Sequence, residues 1–181
     1  MNPQPITKLL LSALGPLAAL ALVLMPSGAV AATPEDRVKA AYLFKLASFV
    51  RWPNDSGREF RICVAGSSDV VQVLRSFVRD ERVLGRPVVV TPIDSSQTAR
   101  VSSCQVLYLA RGPETARTLL AAANGLPVFT IADRDGGTRG GVLDFVIRDG
   151  KVRFLIDRSL AQRQRLNLSS KLLSIALAVE R

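Results

Sequence analysis

Phe60-Arg61-Ile62-Cys63-Val64-Ala65-Gly66-Ser67-Ser68-Asp69 decides the fold. Phe60, Ile62 and Val64 alternate with Arg61 and Cys63, the period-two pattern of a strand. Gly66-Ser67-Ser68-Asp69 turns the chain and supplies capping side chains for a helix whose inner face is Val70, Val73, Leu74, Phe77 and Val78. A strand that runs directly into a capped amphipathic helix is half of a β-α-β unit. The pattern then repeats. Gly85 breaks the helix, residues 87–93 are rich in β-branched side chains, and Asp94-Ser95-Ser96 caps a short turn of helix. Residues 104–110 form a continuous apolar strand of the kind buried on both faces. Pro113-Glu114 opens a helix that Asn124-Gly125 ends, and residues 128–132 form a fourth strand. Right-handed crossovers make the first and third of these strands neighbours.

Outward from that block the pattern changes. Towards the N-terminus, Thr33-Pro34-Glu35-Asp36 starts a helix carrying Val38, Ala41, Tyr42, Leu46, Phe49 and Val50, widened by Leu43 and Phe44; Pro53 predicts its end at Trp52. Towards the C-terminus, residues 135–141 are a glycine-rich loop, expected to be flexible. Strands over 142–147 and 152–156 are joined through Asp149-Gly150, the strongest short-range hairpin signal. Residues 159–165 read as a short basic helix. Ser169 and Ser170 cap a last helix carrying Leu172, Leu173, Ile175, Ala176 and Val179. The expectation is an α/β fold with a mainly parallel sheet flanked by helices, a C-terminal β-hairpin and terminal helices.

Residues 1–31 have the build of a cleavable signal peptide: Lys8, an apolar run over 9–24, then Ala29-Val30-Ala31 as a small-x-small cleavage pattern. The competing reading is a retained membrane anchor, although the run is short for a span of about 20 residues and is interrupted by Gly15-Pro16. Cleavage leaves residues 32–181 as a single exported domain with no direct insertion into the membrane. The removed segment holds one basic and no acidic residue, so the net charge falls from +9 to +8. Outside the cytoplasm that surplus speaks for anionic headgroups, an acidic partner or plain solubility rather than for nucleic acid.

The side-chain inventory narrows the chemistry. Histidine is absent, which removes the commonest general base and metal ligand. Cys63 and Cys104 are the only cysteines; after export they read as a disulfide, with two buried thiols as the alternative. The glycine-rich loop leads into a strand rather than a helix, so it lacks the build of a phosphate cradle. Asp133, Asp135, Asp144 and Asp157 could supply a carboxylate pair or a calcium site, but turn geometry accounts for acids there equally well. No cofactor or metal is expected, and nothing argues for an enzyme. Trp52, the single tryptophan, is either an interface anchor or a plug at the core's edge.

Taken in order, the motifs resemble the YfiR family of exported proteins. Val38-Lys39-Ala40-Ala41-Tyr42-Leu43-Phe44-Lys45-Leu46-Ala47-Ser48-Phe49-Val50-Arg51-Trp52-Pro53 carries the resemblance most strongly. Phe60-Arg61-Ile62-Cys63-Val64-Ala65-Gly66, Cys104-Gln105-Val106-Leu107-Tyr108 and Leu168-Ser169-Ser170-Lys171-Leu172-Leu173 support it further. The resemblance implies a periplasmic regulator that restrains an inner-membrane diguanylate cyclase by binding its periplasmic sensor domain, and so lowers cyclic di-GMP and biofilm formation. It also implies a homodimer and a structural disulfide at Cys63 and Cys104. The second cysteine pair that some members carry near residues 133–141 is missing here. Trp52, Leu143, Phe145, Arg153, Phe154 and Arg158 are the candidate contact residues, chosen because aromatic and arginine side chains are enriched at interfaces. The alternative is a periplasmic small-ligand sensor acting with a two-component or secretion system.

Overall fold

The computed structural model describes residues 32–53 and 57–180. The signal-peptide expectation falls on residues 1–31 and lies outside the described residues. Among those described, no helix is long and apolar enough to cross a membrane.

Helix α1 (Pro34–Ala47) begins with a full capping box: Thr33 Oγ1 accepts from the Asp36 amide, and the Asp36 carboxylate accepts from the Thr33 amide. It ends five residues earlier than Pro53 predicts, because the following residues find a partner far along the chain. Strand β1 (Val50–Arg51) pairs antiparallel with β9 (Asn167–Leu168) as a separate two-stranded sheet.

The main sheet uses β2 (Phe60–Ala65), β3 (Arg82–Val83), β4 (Arg86–Pro92), β5 (Val106–Leu109), β6 (Phe129–Asp133), β7 (Leu143–Arg148), β8 (Lys151–Asp157) and β10 (Ala178–Glu180). Its order is β10-β8-β7-β6-β5-β2-β4-β3. The run β4-β2-β5-β6-β7 is parallel, and β2 and β5 are neighbours as the crossover rule requires. Helix α2 (Ser68–Phe77) links β2 to β4, a 3-10 helix (Ser95–Ser103) links β4 to β5, and α3 (Pro113–Ala123) links β5 to β6.

Alternation along the strands separates two cores. Ile62, Val64, Val106, Tyr108, Phe129, Ile131, Leu143, Phe145, Phe154 and Ile156 pack under α1 and α2. Cys63, Ala65, Leu107 and Leu109 pack under α3 and the 3-10 helix with Val101, Cys104 and Leu119. Cys63 and Cys104 form the disulfide on this second face, with Cα atoms 5.9 Å apart.

Two hairpins have type I′ geometry. Asp149 (φ 52°) and Gly150 (φ 67°) join β7 to β8, as the sequence predicts. Leu84 (φ 52°) and Gly85 (φ 77°) join β3 to β4 without the usual asparagine or aspartate.

The last helix is shorter than its apolar pattern suggests. Helix α5 (Ser170–Ser174) stops after five residues, and the chain then lies parallel to β8 as β10. Unpaired backbone groups along the outer edge of β8 explain the switch, because pairing satisfies them on one side. The basic helix α4 spans Arg158–Arg163 and is capped by the Asp157 carboxylate.

Candidate functional site

In open parallel sheets, ligands bind beyond the carboxyl ends of the strands where the strand order reverses. Here that point lies between β2 and β5, where backbone segments approach closely. A Cβ on Gly66 would fall 2.4 Å from the Arg111 carbonyl oxygen, and one on Gly136 would fall 1.8 Å from that of Ala110. The glycine-rich loop is therefore packed onto the strand ends rather than free, which corrects its expected flexibility. Thr138, its buried anchor, accepts from the Asp133 amide at 2.7 Å and donates to the Leu109 carbonyl at 2.6 Å.

Beneath this loop is a buried ionic cluster that sequence patterning does not show. Lys39 of α1, only 3% exposed, donates to Asp133 Oδ2 at 2.5 Å and also to the Glu35 carboxylate one turn earlier. Tyr108 donates its hydroxyl to the same Asp133 oxygen at 2.9 Å, and the Gly136 amide donates to Asp133 Oδ1. Burial alone would lower the Lys39 pKa. The hydrogen bonds and charges of Asp133 and Glu35 outweigh it, so the ammonium is held above the ordinary lysine range. Burial, and then the Asp133 charge, push the Tyr108 phenol far above its usual pKa. The only sequence signal for the cluster is a lysine placed among the apolar positions of α1.

The other acids weighed for chemistry have backbone work. Asp144 accepts from the Gly140 and Gly141 amides and pairs with Arg134. Asp135 holds the Ile147 amide, and Asp157 caps α4.

Against the outer side of the cluster lies a groove of about 790 Å³, between the first half of α1 and the tip of the β7–β8 hairpin. Val38, Tyr42, Ile147 and Val152 give it an apolar floor, and Val38 is 43% exposed. Tyr42 rests on Phe145 and Phe154 with ring centroids 5.9 and 6.0 Å away, and Phe145 in turn contacts Tyr108 at 6.0 Å. The floor is thus tied by aromatic contacts to the ionic cluster. One bank carries Glu35, already engaged by Lys39. The other carries the exposed Lys151 and Arg153, neither in an ion pair among the described residues. An occupant that is apolar on one side and acidic at its edge matches this arrangement.

The structure disperses the six predicted contact residues. Leu143, Phe145 and Phe154 point under α1 and are buried, so they support the groove from behind instead of forming a surface. Trp52 is 9% exposed; its indole donates to the Gln105 carbonyl at 3.2 Å, and its ring meets Phe60 edge-on at 5.2 Å, which makes it a plug at the core's edge. Arg153 reaches the groove. Arg158 is exposed at the start of α4, beside a different cavity.

Asp133, Asp135, Asp144 and Asp157 are thus engaged within the fold, and an apolar groove lies open beside α1. The family profile described as YfiR/HmsC-like matches residues 36–177, and the chain belongs to that family of periplasmic regulators. Similarity to curated proteins does not reach significance. Among solved structures, the chain is similar to a conserved domain protein from Vibrio cholerae O1 biovar El Tor, at 12% identity and a TM-score of 0.48. The likeness covers 82% of this chain and 60% of that one, so the chain spans about three fifths of its length.

Proposed function

We propose that this protein is a periplasmic regulator that restrains an inner-membrane signalling protein, a diguanylate cyclase first among the candidates, by binding its periplasmic sensor domain. The observation that carries the reading is the groove between α1 and the β7–β8 hairpin in a member of the YfiR/HmsC-like family. Its apolar floor and the Lys151 and Arg153 bank fit an amphipathic segment with acidic residues at its edge. The role is regulatory rather than catalytic, in keeping with the family and with the structural use of Asp133, Asp135, Asp144 and Asp157. Cys63 and Cys104 serve stability, with the homodimer that the family resemblance implies as the working assembly.

A photo-crosslinking residue at Val38 in the exported protein tests this reading. It should capture an inner-membrane protein that has a periplasmic domain, whereas the same residue at Leu84, exposed at the opposite edge of the sheet, should not. Equal capture from both positions would remove the groove from the account. The second reading, a small-ligand sensor, draws on the groove's size, which lies within the ~300–1,000 Å³ usual for small-molecule sites. Stabilisation by small ligands in the absence of any protein partner would favour it.

A further inference from the structure

The surface built from β1, β9, α4 and α5 is distinct from the groove and differs from the rest of the molecule in charge. Residues 158–177 contain Arg158, Arg163, Arg165 and Lys171 and no acidic residue. All four side chains are exposed, as is Arg51, which stands on β1 opposite Asn167 of β9. Among the described residues none of the five is in an ion pair. Arg165 donates to the Gly125 carbonyl, and Lys171 Nζ lies 5.7 Å from the Phe49 ring centroid.

Two shallow cavities of about 370 Å³ each join these groups. Arg158 and Arg165 line one, Arg51 and Phe49 line the other, and both share Asn167 and Leu168. Near acids are few: Asp157 is occupied in capping α4, and Glu180 sits beyond it on β10.

Exposed aliphatic side chains follow directly. Ile175 lies one helical turn after Lys171 and is 47% exposed; Leu177 and Val179 are 38% and 39% exposed. These are three of the six large apolar side chains described as exposed, gathered within five residues. Exposed cations outside any ion pair, beside exposed aliphatic groups, are the composition of a surface that settles on anionic headgroups.

We infer that this basic face docks on the anionic surface of a phospholipid bilayer. The cations lie over the headgroups, and Ile175 and Leu177 reach the headgroup–acyl boundary. Docking of this kind leaves the groove, which is built from other elements, available to a partner in the same membrane. The inference needs no such partner, so it stands or falls separately from the proposed function.

Sedimentation of the exported protein with protein-free vesicles tests it. Vesicles of phosphatidylcholine are compared with vesicles of phosphatidylcholine and phosphatidylglycerol in equal parts. Binding to the anionic vesicles at low salt, its loss at high salt and little binding to neutral vesicles are expected. Each cation near a charged surface is worth about fivefold in affinity, so Arg158→Gln, Arg163→Gln and Lys171→Gln together should weaken binding on the order of a hundredfold. Ile175→Asp should weaken it with the cations intact, and an unchanged melting temperature shows that each variant is folded. Equal binding to neutral vesicles, insensitivity to salt or to the triple variant, or binding to polyglutamate but not to vesicles would overturn the inference.

Discussion

Lys39 Nζ lies 2.5 Å from Asp133 Oδ2, and 94 residues separate the two in sequence. The pair ties α1 to the carboxyl end of β6 behind the groove, so the position of the groove's helical wall depends on a buried charge pair. Removing one partner leaves the other buried without compensation. Lys39→Met should therefore destabilise the protein by about 3–5 kcal/mol, read from urea unfolding. Replacing both, as Lys39→Met with Asp133→Leu, should recover much of that loss. A double variant as unstable as the single one would show that the whole cluster, with the Tyr108 and Gly136 donors to Asp133 included, contributes net stability.

Alkaline stability follows from the same cluster. The Lys39 ammonium and the Tyr108 phenol both have folded pKa values raised above their ordinary values of 10.5 and 10.0. In that window the folded state holds protons that the unfolded state gives up. The stability contributed by both groups is full below about pH 10 and is lost as pH rises beyond it. Melting temperature should fall steeply above pH 10, and Tyr108→Phe should flatten the fall. An identical alkaline profile in that variant would remove Tyr108 from the explanation.

The Cys63–Cys104 disulfide spans 41 residues of sequence and lies against the second core. In the chain-entropy model a loop of that length is worth about 4 kcal/mol. Replacing both cysteines with alanine should lower the melting temperature by about 8–16 °C, at ~2–4 °C per kcal/mol for a domain of this size. A shift of only a degree or two would mean that the bond does little for stability.

Gly136 and Gly137 are adjacent but should respond differently to alanine. A Cβ at Gly136 meets the Ala110 carbonyl oxygen at 1.8 Å, so the loop that covers the strand ends must move. Gly137 has open space and only a positive φ of 82°, a backbone conformation that costs a residue with a Cβ about 1–2 kcal/mol. Gly136→Ala should cost at least twice as much in chemical denaturation. Equal costs would show that the loop yields easily.

The legible parts of the fold are those with local causes. The Thr33 cap, the alternation in residues 60–65, the Asn124-Gly125 stop and the Asp149-Gly150 turn each act within a few residues, and each stands where the sequence puts it. The β-α-β order and the pairing of Cys63 with Cys104 follow from these elements plus handedness. What escapes a local reading depends on distant partners. Val50 leaves the helical pattern to pair with Leu168, and Ala178 leaves it to pair with Leu155. For the site, aromatic enrichment pointed to Phe145 and Phe154, which do underlie the groove but from inside. Val38 and Lys151 form its open side and carry no composition signal; only packing α1 against the hairpin brings them together.

Cellular cyclic di-GMP tests the central claim, restraint of a membrane cyclase through the groove, most directly. It is measured in cells lacking this protein and in cells supplied with either the wild-type chain or Val38→Glu, which places a charge on an exposed groove position without disturbing the core. Cyclic di-GMP should rise on deletion, return with the wild-type chain and stay high with Val38→Glu at equal periplasmic abundance. The same level in all four strains, the undeleted parent included, would contradict the account.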